Sequence, residues 1–203
     1  MGPALRRQEI ELMTRCSIRK STVATFAAWL LLTGCAGANT QVSGAYFESL
    51  YDPGMVRVAA GRGSIPVMVR GVAAGTPGGA AAVANAMTMP GWVGQGHFVA
   101  SGTTAETYRV VLVFGAAAVA GGTQRTCADS DDAAIPAGGD FGRVQATFCV
   151  GRRMASTLVA AGPPISDPAD PAMRELMNQV VINLLPAHNP GSAKGGGAGG
   201  GGM

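Results

Sequence analysis

The chain's 203 residues leave room for one core-bearing domain plus tails, and with 13% charged against 47% hydrophobic residues it lacks the densely charged surface of a free cytosolic protein. Its formal charge of +3 belongs to the start: ahead of Cys35 five basic residues (Arg6, Arg7, Arg15, Arg19, Lys20) face two acidic ones (Glu9, Glu11), and beyond it nine arginines and Lys194 balance ten carboxylates. A neutral body without a basic patch removes the electrostatic case for nucleic acid as a partner.

Arg15, Arg19 and Lys20 precede an apolar run from Ser21 to Leu32. A positive segment followed by a short apolar one reads as an export signal. A permanent membrane span needs about 20 apolar residues, more than this run supplies. The run closes on Leu32-Thr33-Gly34-Cys35, which resembles the lipobox of bacterial lipoproteins: an aliphatic residue, a small one, Gly or Ala, then Cys. The resemblance implies transfer of diacylglyceryl to the Cys35 thiol, cleavage by signal peptidase II between Gly34 and Cys35, and acylation of the new α-amine. A buried helix end with an incidental cysteine is the alternative. Residues 1–34 are then the signal, with Met13 a second candidate start, because Glu9 and Glu11 are foreign to such a leader. Each buried acyl CH₂ contributes about 0.8 kcal/mol, so two or three chains make attachment effectively permanent. Ala36 stands where an Asp would imply retention in the inner membrane, so the resemblance implies an outer-membrane location facing the periplasm.

Residues 35–44 are small and polar and read as a lipidated tether, and 45–188 as a single domain. Met55 to Ala60 and Ile65 to Arg70 are Val-rich with partial alternation and read as two strands joined by a turn at Gly61-Arg62-Gly63-Ser64. Thr76-Pro77 opens a helix, with Thr76 as N-cap and Ala80, Val83, Ala84 and Met87 on one face; Pro90-Gly91 ends it. A weaker strand follows over Gln95 to Ala100. Tyr108 to Phe114 reads as the strongest strand, and its residues Val110 to Phe114 are apolar on both sides, as in the middle of a covered sheet. Gly115 to Gly142 reads as a long loop containing Cys127. In Val144 to Val150, Val144, Ala146, Phe148 and Val150 alternate with Gln145, Thr147 and Cys149, and Gly151-Arg152-Arg153 turns this strand into a hairpin with Ala155 to Ala160.

Of the four cysteines, Cys16 lies in the signal and Cys35 takes the lipid. An even pair, Cys127 and Cys149, remains in an exported protein, which predicts a disulfide. Closing a loop of about 20 residues stabilises a fold by about 3 kcal/mol in the chain-entropy model. A metal pair or a reactive thiol is the alternative. The two histidines, His97 and His188, lie at no ligand spacing from either cysteine, and structural zinc needs four ligands. No metal or cofactor is expected.

Asp170 and Pro171 start the last helix, on which Met173, Leu176, Met177, Val180, Val181 and Leu184 form an apolar stripe. A Met-rich stripe suits a partner groove or a core, and a core is the simpler reading. Pro186 stops the helix, and 189–203 is a Gly-rich tail unable to bury a core. The whole predicts an α+β fold: a small antiparallel or mixed sheet with two packed helices and one long loop tied by the disulfide.

The order Tyr-Arg-Val-Val-Leu-Val-Phe, Cys-Ala, Val-Gln-Ala-Thr-Phe-Cys-Val-Gly, Asp-Pro and a helix ending Leu-Leu-Pro resembles a family of uncharacterised Gram-negative lipoproteins. The resemblance spans Tyr51 to Pro186. It implies the same cysteine pairing and domain limits and brings no activity, substrate or catalytic residue.

Gly61-Arg62-Gly63-Ser64 lacks the Gly-Lys-Ser/Thr ending of a phosphate loop, and Gly94-Gln95-Gly96-His97 is no dinucleotide fingerprint. His97 and Ser101 are candidates for a base and a nucleophile, although Ser101 sits in no Gly-x-Ser-x-Gly elbow. Asp129, Asp131 and Asp132 offer carboxylates to a calcium ion, without the Gly and Glu that an EF-hand requires; a solvated loop tip is the simpler reading. Trp92, Tyr46, Phe47 and Tyr51 either line a ligand groove or anchor the first segment on the core. The leading expectation is a non-enzymatic envelope protein, anchored in the membrane by lipid, that contacts another envelope component. A periplasmic small-ligand binding module comes second and a hydrolase third.

Overall fold

Six strands line up in one mixed sheet in a computed structural model that describes residues 40–71, 77–102, 105–115, 125–128 and 141–191. The strands are β1 (Gln41–Phe47), β2 (Ser64–Gly71), β3 (His97–Ala100), β4 (Tyr108–Phe114), β5 (Arg143–Val150) and β6 (Arg153–Ala161), and the helices α1 (Pro53–Ala60), α2 (Gly79–Ala86), α3 (Arg125–Ala128) and α4 (Pro171–Leu184). The sheet order is β1-β6-β5-β4-β2-β3. β2 runs parallel to β3 and to β4, and the pairs from β4 through β5 and β6 to β1 are antiparallel. The fold is α+β as expected, but the sheet is larger than expected and the described residues contain four helices rather than two.

Both faces of the central strands are covered, so six of the seven residues of β4 and six of the eight of β5 are buried. On one face Val67, Val110, Leu112, Phe114, Val144, Ala146, Phe148 and Leu158 pack against α1, α2 and α4 in the main core. The other face carries a smaller cluster of Met68, Val111, Val113, Cys127, Cys149 and Met154. The hairpin of β5 and β6 and the long strand β4 fall where the sequence placed them.

Three segments differ from the expectation. Met55 to Ala60 is helical, not extended: the Asp52 carboxylate accepts from the Gly54 N–H at 2.7 Å, and Pro53 occupies the first turn. Val56, Ala59 and Ala60 are buried on one face while Val58 is 53% exposed, so the Val56/Val58 alternation that suggested a strand was accidental. Gln41–Phe47, part of which read as tether, is an edge strand on β6 with a register shift between Ser43 and Tyr46. α2 begins at Gly79, behind a left-handed Gly78, rather than at Pro77. The leader, Cys35, Thr76, Asp129, Asp131, Asp132 and the glycine tail beyond Gly191 lie outside the described residues. Among the described residues no helix is long and apolar enough to cross a membrane.

Candidate functional site

The site grows from the end of α4. Asp170 caps that helix by accepting from the Ala172 N–H at 2.8 Å, and the stripe from Met173 to Leu184 is fully buried. The methionine-rich face is therefore core and not a partner groove. A helix C-terminus leaves carbonyls without intrahelical partners, and here three consecutive ones are satisfied by side chains distant in sequence. Ser156 Oγ donates to Leu184 O at 2.7 Å, Trp92 Nε1 to Leu185 O at 3.2 Å, and Tyr51 OH to Pro186 O at 2.7 Å. Asn189 Nδ2 extends the seam to Tyr51 O at 3.0 Å. Phe47 meets the Tyr51 ring edge-on at a centroid distance of 5.4 Å. Burial, and then the nearby Asp52 charge, push the Tyr51 hydroxyl well above the ordinary tyrosine range, so it stays a donor.

Beside this seam lies a groove of about 530 Å³. Thr88, Met89, Pro90, Gly91 and Trp92, between α2 and β3, form one wall; Asn178 and Ile182 of α4 and the turn Pro186, Ala187 and His188 form the other. Ile182 is 58% exposed, the one aliphatic of α4's second half that leaves the buried stripe. The Asn178 Oδ1 is buried with no hydrogen-bond partner among the described residues. The Arg57 guanidinium stands 5.5 Å from the Trp92 ring centroid, the distance of a cation–π contact. What the lining offers is apolar contact with a few polar atoms at its rim, which suits binding.

On the opposite face of the sheet Cys127 and Cys149 form a disulfide, so their sulfurs are neither thiolate ligands nor a reactive thiol. Arg109, 2% exposed, pairs across the ladder with Cys149 and donates to Cys127 O at 2.6 Å and Glu106 O at 2.9 Å. α3 is thereby tied to the sheet twice, covalently through β5 and by a charge-assisted hydrogen bond from β4. Burial, and then the charge of Arg70, lower the Arg109 pKa.

The other sequence candidates fare differently. His97 opens β3 and is exposed, while Ser101 follows the same strand, its N–H bonded to Val67 O at 2.8 Å. Four residues of extended chain span about 13 Å, so the structure does not bring the two together as base and nucleophile. Gly61-Arg62-Gly63-Ser64 connects helix α1 to strand β2, not strand to strand; this is the reverse of a phosphate loop's order. Gly96 (φ +140°) passes so close to α1 that a Cβ would lie 3.0 Å from that of Ala60. Of the aromatics, Trp92 lines the groove, Phe47 and Tyr51 anchor the first segment, and Tyr46 is exposed. Cys35, Gly34 and the aspartate cluster lie outside the described residues. Sequence reasoning missed Ser156, Asn178, Ile182 and Pro186; the one available signal was an isoleucine on the polar face of the last helix. Comparison with known proteins returns no matching family model, no similar curated protein and no similar solved structure.

Proposed function

We propose that the chain is a lipoprotein of the cell envelope, held by acyl chains on Cys35 in the outer membrane facing the periplasm. Its domain is then a non-enzymatic interaction module. The observation that carries this reading is the cysteine inventory. Of four cysteines, two are consumed by the Cys127–Cys149 disulfide, which fits an oxidising compartment, and Cys16 lies upstream of the cut. Cys35 is left at the end of a charged-then-apolar leader. Kinship with the Gram-negative lipoproteins that the motif order resembles belongs to the same proposal. The test is the intact mass of the protein extracted from membranes: an N-terminal Cys35 carrying diacylglyceryl is expected. If Cys35→Ala protein stays in the membrane and is cut at the same site, the proposal is wrong. A second reading, a small-ligand binding module, is favoured by the groove, whose volume of about 530 Å³ falls within the range of ligand pockets. Its test is a shift of Trp92 emission on titrating apolar compounds into the chain from Ala38 onward, which forms a contact unit of its own; a flat response to the whole panel would sink it.

A further inference from the structure

We propose that Arg109 is the positioning residue of the Cys127–Cys149 disulfide, holding Cys127 beside Cys149 whenever the two sulfurs are not joined. Neither the leader nor a lipid at Cys35 enters into it. Arg109 stands opposite Cys149 in the β4–β5 ladder. That puts the two side chains on one face of the sheet as neighbours, with Cβ atoms about 5 Å apart. Arg109 Nη2 donates to Cys127 O at 2.6 Å and Nη1 to Glu106 O at 2.9 Å. Glu106 lies on the approach to β4 itself, so its carbonyl keeps the guanidinium aimed when Cys127 is away. The residue is 2% exposed, and its Nε is buried without a hydrogen-bond partner. Among the described residues the cation therefore has two acceptors, and one of them is the backbone of a disulfide cysteine.

Little else fixes α3. Its four residues are too few to hold a helix unaided. Among the described residues no backbone hydrogen bond joins it to the sheet. Cys127 packs with Met68, Val111, Val113 and Met154; such contacts keep it on this face but are not directional. With the disulfide cut, the bond from Arg109 remains to set Cys127 beside Cys149. It is charge-assisted, and so among the stronger hydrogen bonds, and it is buried, away from competing water. The chain holds four cysteines, so mispairing is open to it as it folds, and Arg109 favours the pair found in the structure.

Exchange with oxidised glutathione, a small disulfide, tests this. One cysteine thiolate, its proton gone to water, attacks the glutathione disulfide and expels one glutathione thiolate. The second cysteine thiolate attacks the cysteine sulfur of the mixed disulfide and expels the other. Two protein thiols are oxidised, and one glutathione disulfide is reduced to two thiols. Both cysteines are buried, so the equilibrium is measured, not the rate. It gives the effective concentration of one thiol at the other. The full chain carrying Cys16→Ser and Cys35→Ser is equilibrated in glutathione buffers, quenched with acid, and its free thiols are mass-tagged. Arg109→Met keeps the stem, removes the donors, and lowers the effective concentration about tenfold or more. Thr157→Val removes a buried hydroxyl bonded to Ala146 O, without a bond to α3, and leaves the effective concentration within about twofold. No fall in Arg109→Met, or an equal fall in both variants, overturns the proposal. A second readout keeps Arg109 in place. In Cys149→Ser protein, Cys127 reacts with iodoacetamide at least about tenfold more slowly than in the urea-unfolded chain. Equal rates there overturn the proposal whether or not Arg109→Met folds.

Discussion

Tyr51→Phe removes one hydroxyl and leaves the ring in place. The lost bond is short, 2.7 Å to Pro186 O, and the residue is 2% exposed, so water cannot easily replace the donor. Pro186 is part-buried, and leaving its carbonyl unsatisfied costs up to about 1–3 kcal/mol, the figure for a fully buried group. The pH dependence carries a second signature. Burial raises the folded-state pKa of this hydroxyl above its unfolded value of 10.0. A raised pKa means that the folded state holds the proton more tightly, so the contribution is complete below pH 10 and is lost as pH climbs above it. The loss reaches up to about 1.4 kcal/mol per pH unit. Phenylalanine has no such loss. Urea titrations of residues 38–203 at pH 8 and pH 11 measure both effects, and comparing the two proteins cancels whatever the other ionisable groups do. At pH 8 the variant is expected to be weaker by up to about 1–3 kcal/mol, and at pH 11 the gap closes by about 1 kcal/mol. Equal stability at pH 8, or a gap unchanged at pH 11, would refute the claim that this hydroxyl is a buried donor.

Three further outcomes follow from the packing. Cys127→Ser with Cys149→Ser opens a crosslink spanning 22 residues, and the urea midpoint should fall by the equivalent of about 3 kcal/mol, matched by reductant on the unaltered protein. Gly71 has φ +80°, and a Cβ there would collide with the carbonyl oxygen of Phe114; Gly71→Ala should cost more than about 1 kcal/mol and lower the thermal midpoint. Asp52→Ala and Asp170→Ala each remove an N-cap bond and should each cost about 1 kcal/mol in the same titration, with near-additive effects if the caps act independently.

What the sequence disclosed follows from where the deciding interactions lie. β4 was legible because coverage on both faces leaves a continuous apolar run from Val110 to Phe114. α4 was legible because its cap, first-turn proline and stripe agree. α1 carries the same Asp-Pro signature, yet eight residues are too few for periodicity to separate helix from strand when valines happen to alternate. β1 has almost no apolar pattern, since four of its seven residues in the middle and its first residue face solvent; the partner edge of β6 makes it a strand, and that partner is over a hundred residues away. The cysteine pairing needed only counting. The groove was invisible for a different reason: its walls come from the connection after α2 and from the end of α4, and only the fold brings Trp92 beside Pro186. The His97 and Ser101 pair failed because an extended strand stretches a spacing that a helix would have closed.

The three side-chain bonds on the end of α4 also set an order of assembly. Tyr51 waits 135 residues for its acceptor and Trp92 waits 93, and β1 has no strand to pair with until β6 exists. A ribosome delivers these partners late, so the emerging chain holds its opening strand unpaired until β6 is made and Tyr51 and Trp92 without their acceptors until Leu185 and Pro186 are made. Contacts this distant in sequence slow folding. A polypeptide that must thread through a translocation pore benefits from that delay, because it has no finished domain to unravel. Chains truncated before Leu184 should accordingly remain open to protease along their whole length.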